Sequence, residues 1–254
     1  MDGRMVGFSR ALIAAVCALL LVAVPALAAD NQRPVASPPT QSVRASVRLA
    51  AVPKIRIAWP AATDNVKVVR YELQQRTNSG PWVPVTLPTP KSLAVDVPLT
   101  PGTDTYRFRV RAFDKAGNAS FWAPGTAFKV RVREESANNF VYSGKWTSTE
   151  ALGASGGSVM TSAAIGALAT FTFTGTGFGF ATTLGPDRGR AAIFIDSQHV
   201  ATVDLYSTAP LMAWVSYRAN LSSGTHTIEV VVLGTKNPAS TDDRVDVDAF
   251  IVLG

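Results

Sequence analysis

The sequence predicts an all-β protein of two antiparallel sandwiches, on three observations. Short runs that alternate apolar and polar residues recur along the chain, as at residues 55–59, 69–74 and 171–174. That is the period-2 pattern of half-buried strands. No stretch of residues 42–254 repeats with a helical period. Charge also divides the chain: residues 30–133 hold sixteen Lys and Arg against six Asp and Glu, and residues 134–254 hold six against eleven. Such asymmetry is expected of two domains with different surfaces.

The chain has 254 residues and a net charge of +6, a length that accommodates two domains. Residues 1–29 are expected to be a secretory signal peptide. Arg4 and Arg10 flank an apolar run, and Pro25-Ala26-Leu27-Ala28 ends it with small residues suited to cleavage after Ala28 or Ala29. The alternative is an uncleaved anchor, since the run approaches the ~20 residues of a spanning helix. Pro25 and the Ala-Leu-Ala site favour cleavage, so the mature chain is read as secreted, with no membrane span. Cys17, the sole cysteine, lies inside that run. A secreted protein without disulfides must be held together by its cores. Two histidines and no cysteine outside the leader also argue against a zinc site.

Residues 30–37 are polar and proline-containing and read as a linker. Strands are then expected at Ile55-Arg56-Ile57-Ala58-Trp59, around Val69, Tyr71 and Leu73, at Leu93-Ala94-Val95, along 106–113 and along 128–132. Asn78-Ser79-Gly80-Pro81 is a turn by composition. Leu99-Thr100-Pro101-Gly102, the alternating strand Tyr106 to Ala112 and the loop Asp114-Lys115-Ala116-Gly117-Asn118 resemble the fibronectin type III family in residue and in order. The resemblance covers residues 38–133. It implies an immunoglobulin-like sandwich with Trp59 as the buried tryptophan and Tyr106 as the corner tyrosine.

If the strands near Val69, Tyr106 and Phe128 are neighbours, as the resemblance implies, one surface carries Arg70, Arg76, Arg107, Arg109, Arg111, Lys129, Arg131 and Arg133. Such a face is ordinarily just solvated. The functional alternative is a basic patch for acidic polymers. Nucleic acid is not expected as a partner, because no aromatics are seen interleaved with the charges.

Residues 134–139 read as a polar hinge, and the halves on either side are expected to fold independently. In residues 140–254 the pattern FTFTGTGFGF changes phase at Gly175-Thr176-Gly177, which reads as a β-bulge. Strands follow at Ile193-Phe194-Ile195, Ala201 to Leu205, Met212 to Arg218 and His226 to Val232, with Ser222-Ser223-Gly224 as a turn, and Val245 to Val252 closes the chain. Val215 and Tyr217 are expected on one face. FTGTGFGF, GRAAIFID, VDLYS and LSSGTHTIEVVVLG with DVDAFIVL resemble, in that order, the galactose-binding-like jelly rolls of carbohydrate-binding modules. The motifs are core strands and turns, so they imply the fold and leave the ligand open.

Sugar sites stack aromatic faces on sugar rings beside polar groups. The candidates are Trp146, Tyr206 and Trp214, with Asp187, Arg188 and Asp204 as polar partners. For Trp146 and Trp214 core packing is an equal expectation, and Asp187 and Arg188 also suit pairing across their own turn. Jelly rolls of the resembled kind can carry a structural calcium on an aspartate of the last strand. Asp246 and Asp248 suit it, but VYSGKW lacks the acidic residues such modules place near their first strand. Two carboxylates fall short of the 6–8 oxygens calcium takes, so no cofactor is assigned. Gly153-Ala154-Ser155-Gly156-Gly157 matches G-x-S-x-G without the strand-to-helix elbow that pattern needs, and no pair of catalytic carboxylates is recognisable. The expected function is therefore non-catalytic binding of carbohydrate or a cell-envelope polysaccharide. A structural or adhesive surface protein is the alternative.

Overall fold

The computed structural model describes Met1–Gly3 and residues 30–254. The leader's apolar run, Cys17 and the cleavage site fall outside the described residues. No helix among the described residues is long and apolar enough to cross a membrane. Residues 31–254 form one compact unit, which holds every strand among the described residues.

The first eight strands are β1 (Thr40–Val43), β2 (Lys54–Ala58), β3 (Val68–Thr77), β4 (Val83–Val85), β5 (Ala94–Pro98), β6 (Tyr106–Asp114), β7 (Ala123–Pro124) and β8 (Val130–Glu134). The first seven build the sheets β1-β2-β5 and β4-β3-β6-β7, antiparallel as predicted. Alternation decides which side chains go inside: Tyr106, Phe108, Val110 and Ala112 of β6 are buried, and Arg107, Arg109 and Arg111 between them are not. Ile55, Ile57 and Trp59 meet these residues from the facing sheet. The Tyr106 hydroxyl donates to the Thr100 carbonyl at 2.9 Å. The linker expected at 30–37 is not free over residues 31–37. Val35 and Thr63 exchange two backbone hydrogen bonds of 2.9 and 3.1 Å, because buried Pro34 and half-buried Ala36 seat the segment on the protein.

The remaining strands are β9 (Phe140–Ser143), β10 (Thr147–Glu150), β11 (Ser158–Ser162), β12 (Leu168–Leu184), β13 (Gly189–Ile195), β14 (Gln198–Asp204), β15 (Leu211–Lys236), β16 (Val245–Val247) and β17 (Ala249–Leu253). A large sheet runs β14-β13-β15-β12-β17-β8, with β9 also on β12, and a small one runs β10-β11-β16. Its core is aromatic: Phe250 lies 4.8–5.8 Å from the rings of Phe140, Phe171, Phe178 and Phe180.

Two expectations about β15 are corrected. Ser222-Ser223-Gly224 is not a turn, because β15 runs unbroken beside β12, from Leu168↔Val231 to Leu184↔Leu211. Gly175 pairs with Gly224 and Gly177 with Asn220, so the phase change is real but β15 supplies the extra residues. Val215 and Tyr217 do not share a core either. Phe180 pairs with Tyr217 and Ala181 with Val215, leaving Ser216 as a bulge between them. Val215 therefore enters the first core while Tyr217 packs on the second.

The expected polar hinge is not a free connector, and the two halves share strand pairing. After Phe128 exchanges backbone hydrogen bonds with Tyr106, the chain enters β8 and pairs along β17, from Leu253↔Val130 to Ala249↔Glu134. β17 then serves two cores. Phe250 and Val252 fill the second, while Ala249, Ile251 and Leu253 fill the first with Ala181, Ala213 and Val215. The physical reason lies in the run AFIVL, which has no polar face, so both faces must be covered. Glu134 ends a strand and Glu135 is only 2% exposed.

Candidate functional site

Four of the predicted site residues meet at one end of the large sheet, and the structure shows what each does there. Arg188 is not a loop cation open to a ligand. It is buried, with Nε and Nη2 donating to Asp246 Oδ2 at 3.0 and 2.7 Å and Nη1 donating to Asp187. Asp187 is further held by Arg244 Nη2 at 2.7 Å. Asp204 accepts from Arg190 and Asn237, each at 3.2 Å, and from the Tyr206 amide at 3.1 Å. Partial burial works against its charge, but those donors prevail and hold its pKa below the ordinary value. Tyr206 is half-buried and bridges Gly185 through its backbone. Trp146 lies elsewhere, half-buried on the second core, 5.3 Å from the Tyr142 ring, with Nε1 donating to Ser143.

Trp214 occupies a different setting. The start of β15 pairs with residues 46–49 of the first sandwich: Leu49 N–H donates to Ala213 O at 2.7 Å and Val215 N–H to Val47 O at 2.9 Å. Arg48 bridges Trp214 there. Two clefts open beside this seam. One, of about 300 Å³, is lined by Arg48, Gly153, Pro210, Leu211, Met212 and Trp214. The other, of about 460 Å³, is lined by Arg48 to Ala51, Gly153 to Gly156 and Ala213. They share Arg48 and Gly153, which are joined by a 3.0 Å hydrogen bond from Nη2 to the carbonyl. Arg48 was not singled out from the sequence, because nothing local distinguishes it from the other arginines of its half.

The seam also gathers acids. Asp248 is fully buried with only the Ser155 amide acting on its carboxylate, short of a well-formed hydrogen bond, and Glu134 Oε2 and Glu135 Oε2 lack a hydrogen-bond partner. None of the three forms a salt bridge among the described residues. Burial, then the charges of Glu134, Glu135 and Asp246, push the Asp248 pKa up to about 7 against the opposing pull of the Ser155 amide. Burial also raises Glu134, with Glu135 adding to it and the Ser155 hydroxyl opposing it. Glu134, Glu135 and Asp248 are not gathered closely enough for one cation to bind all three, so the cluster carries its repulsion as neutralisation of Asp248 rather than as a metal site.

Ser155, of the G-x-S-x-G match, donates to Glu134 Oε1 at 2.9 Å from a single 3₁₀ turn. His226 bonds instead with Asp196 Oδ2 at 2.7 Å and Ser222 O at 3.0 Å. The two belong to separate hydrogen-bonded groups.

The basic face is corrected twice. Lys129 lies between β7 and β8, while Arg131 and Arg133 are on β8 and pair with β17, so these three leave the sheet that carries Arg70, Arg76, Arg107, Arg109 and Arg111. Aromatics are interleaved with those five after all. Trp82 and Trp122, just ahead of the edge strands β4 and β7, reach the arginines of β3 and β6 from either side.

The chain is thus an all-β protein of two sandwiches that share strand pairing and a core, with a groove, an acidic cluster and an arginine-rich face. No family model matches it. Chitinase A1 of Niallia circulans is 34% identical over 103 residues, which is 39% of this chain and 13% of that protein. The chain therefore spans a small part of the curated relative it matches. Among solved structures, a two-domain esterase active on acetylated mannans matches 50% of this chain and 36% of its own at 14% identity and a TM-score of 0.41. A family 35 carbohydrate binding module from an environmental isolate matches 48% of this chain and 91% of its own at 20% identity and TM-score 0.36. A Paenibacillus xanthan lyase matches 82% of this chain and 23% of its own at 10% identity and TM-score 0.36. None of these likenesses is close enough to transfer a ligand.

Proposed function

We propose that this chain is a secreted, non-catalytic carbohydrate-binding protein whose glycan lies in the groove beside Trp214. The observation that carries the reading is the half-buried Trp214 on the wall of a cleft that Arg48 also lines. An indole face packs on the apolar face of a sugar ring while a guanidinium donates to its hydroxyls. The buried Trp59 and the Tyr106–Thr100 hydrogen bond suit a fibronectin type III module for the first sandwich. That module is more than a spacer in this reading, because it supplies Arg48 to the groove. Tyr206 and Asp204 sit near the same end of β12: Trp214 pairs with Thr182 and Tyr206 with Gly185, about 10 Å of strand apart. They would meet a glycan that extends beyond the groove.

A glycan array probed with the full chain tests the class, and calorimetry on the best ligand tests the site. Losing one aromatic platform is worth about 1 kcal/mol or more, so Trp214→Ala is expected to weaken binding about five- to tenfold. Its melting temperature should stay near that of the native chain. Unchanged affinity in a folded Trp214→Ala variant would remove the glycan from this groove.

A further inference from the structure

We propose that the outer face of the β4-β3-β6-β7 sheet binds an anionic polysaccharide, whose carboxylate or sulfate groups are held by arginines stacked on tryptophan rings. This site is separate from the groove beside Trp214 and does not depend on it. The Arg76 guanidinium lies 4.9 Å from the centre of the Trp82 ring. Arg109 lies 4.3 Å from Trp82 and 4.4 Å from Trp122. Arg111 lies 4.5 Å from Trp122, and Arg70 lies 3.3 Å from Phe113. Each tryptophan thus carries two guanidiniums. Stacking fixes the plane of an arginine; the Nε–Nη2 edges of Arg109 and Arg111 face Gln74 and Glu72, and their Nη1 sides remain to donate to an oxyanion.

The charges on this face do not balance. Glu72 serves Arg70 and Arg111 together. Arg109 donates twice to the neutral Gln74 Oε1, at 2.8 and 2.6 Å, and Arg107 donates to the Gly125 carbonyl at 2.9 Å. Arg76, Arg107 and Arg109 have no carboxylate partner among the described residues. A face built only for solubility sets opposite charges across from one another, whereas here Arg76 pairs with Arg107, a destabilising juxtaposition. Partial burial, with the charges of Arg111 and Arg76, lowers the Arg109 pKa from its ordinary value. An external polyanion relieves that repulsion.

The covered rings select among polyanions. Single-stranded nucleic acid binds by stacking bases on free aromatic faces, and Trp82 and Trp122 already carry guanidiniums. An acidic peptide could also meet an arginine cluster, but it brings no repeating spacing to match this face, and polyglutamate in the test below stands for it. An anionic polysaccharide needs only the guanidinium donors, which recur along β6 every second residue, about 7 Å apart.

The test is retention of the full chain on immobilised polygalacturonate and on heparin, against poly(dT) and polyglutamate, at about 0.15 M salt. The expected result is retention on one or both polysaccharides, weakened about tenfold in an Arg109→Lys/Arg111→Lys variant that keeps the net charge. A melting curve establishes that this variant is folded. If it is not, Arg107→Gln, outside the stacked set, is expected to weaken retention with the melt unchanged. Three results would overturn the proposal: no retention on either polysaccharide, equal retention on poly(dT) or polyglutamate, or folded variants that bind like the native chain.

Discussion

Residues 140–254 expressed alone are expected to be insoluble or to melt without a cooperative transition. Without the first sandwich, β17 loses β8 as its neighbour, and Val215, Ile251 and Leu253 lose the core they fill. Each such side chain is worth about 1.5–3 kcal/mol when buried, so three are worth on the order of 5–9 kcal/mol. A whole domain is stable by only about 5–15 kcal/mol. Close contact tightens the dependence. A Cβ at Gly179 of β12 would lie 2.6 Å from Val43 Cγ1 of β1, so the two sandwiches touch with no room for a methyl group. The measurement is the thermal melt of the fragment beside that of residues 31–254. Two soluble fragments, each with its own cooperative melt, would show that the shared core is dispensable.

Stability is expected to fall as pH rises from about 4 to 8. Asp248 has an ordinary pKa of 3.8 and is pushed up to about 7 in the fold, chiefly by burial. Because the folded value is the higher one, its contribution is fully present below about 4 and is lost as pH rises through 7. A shift of that size corresponds to roughly 4 kcal/mol. Melts at pH 5 and pH 8 measure the slope. Asp248→Asn is expected to flatten most of it, with Glu134, also raised by burial, left to supply the remainder. A slope unchanged in that variant would place the titration elsewhere.

The candidate site was only partly legible in the sequence. Trp214 was visible as an aromatic out of phase with Val215, but its groove was not, because Arg48, Gly153 and Met212 come from three distant segments. Arg188 was chosen as a loop arginine after a Gly-Pro-Asp turn. Its partner Asp246 lies 58 residues on, so no local signal marked it as buried. The acidic cluster failed to show for the same reason: Glu134 and Glu135 look like a hinge until β8 pairs with β17. Trp82 and Trp122 each precede an edge strand of two or three residues, too short for alternation to reveal which face they join.

By itself the sequence determined what period and composition control. It specified an all-β chain, an inward Tyr106-Phe108-Val110 face with arginines outside, and a phase change at the glycines of residues 175–177. These follow from local geometry, since successive side chains on a strand point to opposite faces whatever the strand's neighbours. Tertiary structure alone decided where β8 pairs, which core receives each face of β17, and which charges are answered. Those outcomes depend on residues far apart in the chain, from tens of positions for Arg188 and Asp246 to more than a hundred for Val130 and Leu253. The clearest local trace of the joined sandwiches is AFIVL, a strand apolar on both faces, and its second neighbour is named only by the packing.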